Sequence, residues 1–213
     1  MSILTRIVTG GPRKVLDILT GAEWTDWSRV VMNREMKNLA RQIAPANLDA
    51  LEVSGSQWQE FGFKSYRNTR YPGYDVCEGT LDDARYDIVI ADQVFEHVLW
   101  PYRAGKNIWQ MLRPGGFFLL STPFLIRIHD VVDCTRWTET GMKYFLAECG
   151  FPLECTRTGS WGNRACVVAN LNPTHWIRYR KRLHSLKNEP AYPHVVWALT
   201  QKSRVGQIDS PIE

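Results

Sequence analysis

The chain has 213 residues, which suits one domain with a single sizeable core and would leave two domains small. Apolar residues at 44% and aromatics at 12% exclude a disordered chain, and no apolar run is long enough to span a bilayer. A net charge of +4 is too mild to mark a nucleic-acid binder, and its local source, Arg178 to Lys187, reads as a solvated helix face or loop.

The first residues carry no apolar core with a small-residue cleavage site, so no secretory signal is read and a cytoplasmic protein is expected. Cys77, Cys134, Cys149, Cys155 and Cys166 form no C-x-x-C pair, and His97, His129, His175, His184 and His194 never recur at H-x-x-x-H spacing. Incidental thiols and no metal are the expectation.

Residues 12–43 read as helical, with Pro12 in a first turn, Gly21 as a stop and Thr25 as the cap of a second helix. Met36, Leu39, Ala40 and Ile43 share one buried face of that helix. Beyond Pro45, residues 48–53 read as a first strand ending in Ser54-Gly55-Ser56. Residues 63–66 read as a second strand and Tyr74-Asp75-Val76 as a third. The links between them are too short for crossover helices.

Ile88, Val89 and Ile90 and the run Phe117 to Leu120 suit strands covered on both faces. Between them Ala104, Ile108, Met111 and Leu112 place an apolar stripe on a helix that Pro114-Gly115-Gly116 stops. Thr138 caps a further helix burying Met142, Phe145, Leu146 and Cys149, with Gly150 as its stop. Residues 165–169 and 194–199 read as two last strands. The organisation is a helical segment over 1–47, a main domain over 48–202 and a polar tail over 203–213, one compact α/β unit overall.

Asp87, Glu96-His97 and Leu112-Arg113-Pro114-Gly115-Gly116 closely resemble the central motifs of class I S-adenosylmethionine-dependent methyltransferases, in their small-molecule, type 11-like branch. The block His129 to Phe151 is similar to the segment after the fifth strand in methyltransferases of sugar and polysaccharide gene clusters. The resemblance implies a Rossmann-like, mostly parallel open sheet with helices on both faces. The last strand is antiparallel, helices are missing or reduced between the first three strands, and an N-terminal helical cap precedes them. It also implies transfer of a methyl group from S-adenosyl-L-methionine to oxygen or nitrogen of a small polar acceptor, such as a sugar or sugar nucleotide. Neither nucleic acid nor membrane is an expected partner, and a homo-oligomer is compatible with the chain. The alternative is a non-catalytic methyltransferase-like binding or scaffold domain. A nicotinamide enzyme is disfavoured because no G-x-G-x-x-G follows the first strand.

Carried over by position, the resemblance assigns Glu52 to the cofactor's amino group and Ser54, Gly55 and Ser56 to the loop along its backbone path. Two family glycine positions there hold serine, which tolerates positive φ poorly. The family's ribose-binding acid is missing, and Tyr66 or Asn68 stands in its neighbourhood. Asp75 and Val76 fall at the adenine, Asp92 and Gln93 at the methionine end. His129 is the first choice of general base, with His97 and Asp133 as further catalytic candidates; the same loop also reads as an anchor in which Asp133 pairs Arg136. Tyr102, Arg136, Trp161 and Arg164 are candidates to hold the acceptor. Trp24, Trp27, Arg29 and Asn33 either line a pocket or pack the N-terminal helix.

Overall fold

The computed structural model describes residues 17–171 and 175–204; Pro12 and the end of the tail, from 205, lie outside the described residues. After a helical turn at 17–20, the chain runs through β1 (Ala22–Asp26), α1 (Arg29–Arg41), β2 (Asp49–Glu52), β3 (Ser65–Asn68) and β4 (Tyr86–Asp92). It continues with α2 (Pro101–Met111), β5 (Leu112–Pro123), α3 (Glu139–Glu148), β6 (Thr156–Trp161), α4 (Arg164–Asn170), β7 (Arg178–Arg180) and β8 (Val195–Gln201). Six strands form one sheet in the order β3-β2-β4-β5-β8-β6; the first four are parallel neighbours and β8 runs antiparallel to both β5 and β6.

Side chains alternate across this sheet with the strand period of two. Leu51, Val89, Ala91, Phe118 and Leu120 face α2 and α3, where Ala104, Ile108, Met111, Met142, Phe145 and Leu146 close one core. Ala50, Ile88, Ile90, Leu119, Val195 and Trp197 face the other way, onto Met32, Met36 and Ala40 of α1 and Cys166 of α4. Helix α1 is thus a layer of the fold, and its amino end reaches the carboxyl edge of the sheet.

Three local expectations are corrected. Thr25 lies within β1, which pairs with β7, and α1 starts later, after Ser28. Tyr74 to Val76 is not a strand: Tyr74 N–H donates to Arg70 O (3.1 Å), Cys77 N–H to Asp75 Oδ1 (2.8 Å) and Glu78 N–H to Asp75 O (3.0 Å). Those turns leave β3 as the sheet edge. Residues 165–169 are helical because Asn163 Oδ1 accepts from Cys166 N–H (2.8 Å) and nucleates α4. The edge position belongs instead to β6, where a Cβ at Gly159 would stand 2.7 Å from Trp197 Nε1.

Helix α2 ends before Pro114, and Pro114-Gly115-Gly116 makes a bulge inside β5, with Gly115 at φ 79° and the register stepping from Tyr86↔Leu112 to Ile88↔Phe117. Beside it Arg113 donates to Asp49 (3.0 Å) and Asp87 (2.6 Å), so the motif aspartate braces the amino ends of β2 and β4, away from any ligand edge.

A helix-interior glycine normally destabilises relative to alanine. Gly105 of α2 reverses that sign, because an added Cβ would meet Cys149 Sγ at 2.4 Å and Phe145 Cζ at 3.3 Å. Gly105→Ala is expected to lower unfolding stability by about 1–3 kcal/mol, and the double variant with Cys149→Ala to recover most of it, as read by urea denaturation.

Candidate active site

The carboxyl ends of β2, β4 and β5 form the edge at which open α/β sheets bind ligands. The turn out of β2 is organised by Glu52, 1% exposed, whose carboxylate accepts from Gln57 N–H (3.0 Å), Trp58 N–H (3.0 Å) and Tyr66 Oη–H (2.5 Å). Gly55 packs so closely that a Cβ there would lie 2.2 Å from Glu52 Oε1. Ser54 takes φ 55°, its N–H held by Thr69 Oγ1 (3.2 Å). At the end of β4, Gln93 also has positive φ, 58°; its N–H donates to Ser121 O (3.0 Å) and its side-chain amide to Ser121 Oγ (3.1 Å). Strained non-glycine backbone at two facing strand ends is a feature of ligand sites.

Between these strand ends lies a cavity of about 460 Å³, a size suited to a cofactor. Ser54, Asp75, Val76, Gln93 and Val94 line it, with Tyr71, Tyr74 and Trp100 as aromatic walls. A second cavity of about 190 Å³ adjoins it, lined by Asp26, Ser28, Arg29, Glu96, His129, Trp176 and His194. Gln93 and His97 line both, so the two cavities share a wall.

That wall is held from behind by the loop after β5. His129 Nδ1 lies 2.8 Å from Asp133 Oδ2, which also accepts from the His129 N–H (3.1 Å) and from Arg136 Nη2 (2.7 Å). Burial alone would raise the Asp133 carboxyl, but Arg136 and the His129 amide outweigh it and hold the group down at about 2. Burial lowers the His129 imidazole from its ordinary value against the opposing pull of Asp133. His97 Nδ1 lies 2.6 Å from Val132 O. Burial pushes the Glu96 carboxyl up to about 7, with its own backbone amide, His97, Arg136 and Arg29 pulling it down.

Of the residues expected at the cofactor, Ser54, Asp75, Val76 and Gln93 line the larger cavity. Glu52, Gly55, Ser56, Tyr66 and Asp92 do not. Glu52 and Tyr66 are spent on each other and on the loop, and Asn68 Nδ2 donates to Gly55 O (2.9 Å). Asp92 accepts from Ser121 Oγ (2.6 Å) and Trp58 Nε1 (3.3 Å), a brace behind the wall. Ser56 is an exposed loop residue.

Among the acceptor candidates, Tyr102 stacks edge-on against Phe145 (5.2 Å) and Arg136 is tied to Asp133. Trp161 is core, its Nε1 donating to Leu186 O (3.0 Å), and Arg164 lies over the Tyr192 ring (5.9 Å). None of these four lines either cavity. Arg29 lines the smaller one; Trp24 is 93% exposed and Trp27 is buried against His184. Glu96, Tyr71, Tyr74, Trp100 and Trp176 complete the walls without having been picked out as site residues; only Glu96, beside His97 in the motif, carried a signal.

Residues 33–120 match the family model of a methyltransferase domain. A Mycolicibacterium smegmatis protein named "Probable S-adenosylmethionine-dependent methyltransferase" is 41% identical over 79 residues, 35% of this chain and 30% of that protein, so the match spans less than a third of the relative. A SAM-dependent methyltransferase of Archaeoglobus fulgidus superposes with TM-score 0.50 at 11% identity over 90% of this chain and 100% of its own. One from Thermotoga maritima does so with TM-score 0.50 at 12% identity, over 85% and 100%. The chain shares its fold with these solved methyltransferases, and the match to the methyltransferase-domain model lies within residues 33–120.

The neighbouring positions Ser54 and Gly55 are expected to respond with opposite signs. Ser54→Gly removes left-handed strain and leaves stability unchanged or raised by up to about 1 kcal/mol. Gly55→Ala displaces the Glu52 carboxylate and lowers stability by about 1–3 kcal/mol; thermal unfolding of the two variants checks both.

Proposed function

We propose that the chain is an S-adenosylmethionine-dependent methyltransferase whose larger cavity takes the cofactor and whose smaller cavity takes a small polar acceptor, such as a sugar or sugar nucleotide. The observation that carries this reading is the shared wall: two cavities, one of cofactor size at the carboxyl edge and one lined by polar groups, meet at Gln93 and His97.

The residues fit the cofactor. Asp75 spends Oδ1 on the Cys77 N–H, and as a carboxylate it has further acceptor capacity for an adenine amino group. Tyr71, Tyr74 and Trp100 offer aromatic faces to a base and to a cationic sulfur. Ser54, at the start of the turn clamped by Glu52, presents backbone to the methionine portion. Bound there, S-adenosylmethionine supplies an electrophilic methyl group. The protein's task is then to align an acceptor across the shared wall and to exclude water.

On the acceptor side, a carboxylate can only accept, so the His129 Nδ1 facing Asp133 carries the proton and Nε2 is left with a lone pair. That lone pair suits the drawing of a proton from an acceptor hydroxyl, with Asp133 as the positioning group.

Calorimetric titration of the full chain with S-adenosylmethionine should show saturable 1:1 binding, and NAD should show none. Asp75→Asn keeps the turn acceptor but loses the carboxylate, and should weaken cofactor binding roughly ten- to hundredfold. Absence of cofactor binding at millimolar concentration would favour the rival reading, a non-catalytic scaffold, which the missing ribose acid suggests. With an acceptor in hand, His129→Ala should slow turnover roughly 10²–10⁴-fold with cofactor affinity intact; unchanged turnover would reject its role.

A further inference from the structure

Glu96 is the least explained charged group of the molecule. It is 1% exposed, in the 3₁₀ turn Phe95–His97 after β4, and among the described residues its Oε2 has no hydrogen-bond partner. A buried carboxylate oxygen with no donor is costly, and native structures supply it with a partner. Among the described residues no donor reaches Oε2; instead two histidines converge on the carboxylate. A ligand atom from each of Glu96, His97 and His129 lies within 4.8 Å of the other two. His97 Nε2 is 3.7 Å from Glu96 Oε1, and the two imidazole rings meet edge to face at 5.0 Å.

Both imidazoles are oriented in the manner of metal ligands. His97 Nδ1 faces the Val132 carbonyl at 2.6 Å and His129 Nδ1 faces the Asp133 carboxylate at 2.8 Å. Each of those partners can only accept, so each Nδ1 holds the proton and each Nε2 is a free lone pair. A carbonyl or carboxylate on the far nitrogen is the outer-shell arrangement that fixes the tautomer of metal-binding histidines. Asp133 is itself fixed by Arg136 at 2.7 Å. Three ligands held about 2.1 Å from one ion in a tetrahedral array stand about 3.4 Å apart; His97 Nε2 and Glu96 Oε1 are already 3.7 Å apart and the whole set lies within 4.8 Å, so closing it on an ion takes side-chain shifts of up to about 1 Å.

We propose that Glu96, His97 and His129 form a binding site for a divalent first-row transition-metal ion in the wall between the two cavities. The expectation of no metal rested on the absence of local ligand spacing; the fold brings together residues 32 positions apart, which no short-range pattern expresses. Two imidazoles and one carboxylate suit Zn(II), Co(II), Mn(II) or Fe(II) and leave coordination positions open. Resting on the methyltransferase reading, those open positions face the acceptor cavity and select acceptors with two adjacent oxygens, such as a vicinal diol, which chelate the ion and are made more acidic by it. His129 Nε2 is then a ligand, and a hydroxyl proton leaves to solvent from an ion-bound oxygen.

The test needs no acceptor and no cofactor. The full chain, stripped with EDTA, is titrated with Co(II) alone, followed by calorimetry and by the visible d–d bands of protein-bound cobalt. The proposal expects one ion per chain, a binding constant weakened at least tenfold in Glu96→Gln and in His129→Asn, and a ten- to hundredfold loss in Asp133→Asn, whose side chain only positions His129. S-adenosylmethionine affinity should be unchanged in all three, which separates failure of the metal site from failure of the cofactor reading. Should Glu96→Gln fail to fold, His97→Asn carries the same expectation for cobalt, and Asp133→Asn for both cobalt and cofactor. No saturable cobalt binding, binding unaltered in the variants, or a thiolate charge-transfer band placing the ion on a cysteine would overturn the proposal.

Discussion

The carboxylate of Glu52 is the constraint on which the ligand edge depends. Buried at the end of β2, it must find donors, and it finds them in the backbone of the very loop that leaves the strand, at Gln57 and Trp58, and in the Tyr66 hydroxyl of the neighbouring strand. Charge-assisted bonds of this kind contribute about 1.5–3 kcal/mol each. They fold residues 53–58 back over the carboxylate, which leaves no room for a Cβ at Gly55 and forces Ser54 into the left-handed region. The same contacts explain how β2 and β3 run parallel with only a 3₁₀ turn, Gln59–Phe61, between them. The bonds around Glu52 and the return of Lys64 N–H to Leu48 O do what a crossover helix does elsewhere.

A second layer of braces supports the opposite wall. Ser121 on β5 binds Asp92, Gln93 N–H and the Gln93 side chain, so the positive φ of Gln93 is over-determined by its neighbour strand. Asp133 does the same for His129. In both places the acid that looks chemically active is committed behind the site, and the group it orients is the one that faces a cavity. Polar residues at a ligand edge therefore divide into those that face the cavity and those that hold them, and only geometry distinguishes the two.

That division marks how much was legible in the sequence. The strand–helix–strand unit from Tyr86 to Phe124 was readable, because continuous β-branched runs and a helical stripe express burial directly. His129, Asp133 and Arg136 were readable as one loop cluster, and His97 separately through the Glu96-His97 motif. The roles of Glu52, Tyr66 and Asp92 were not, since one carboxylate sequence position serves a ligand or a loop amide equally well. Tyr71, Tyr74 and Trp100 gave no signal, for an aromatic residue in a turn looks the same whether it packs or lines a cavity. The helix at 164–170 escaped because a single cap, Asn163, outweighed three residues of strand-like composition, and the Glu96–His97–His129 convergence escaped because it is a tertiary contact.

The account stands on a cofactor cleft between the Ser54 turn, Asp75–Val76 and Gln93–Val94. Amide hydrogen exchange of the full chain with and without S-adenosylmethionine tests it most directly. Slowed exchange confined to residues 53–58, 74–78 and 93–98 is the predicted result. Binding that leaves these three segments unchanged and protects another surface would contradict it.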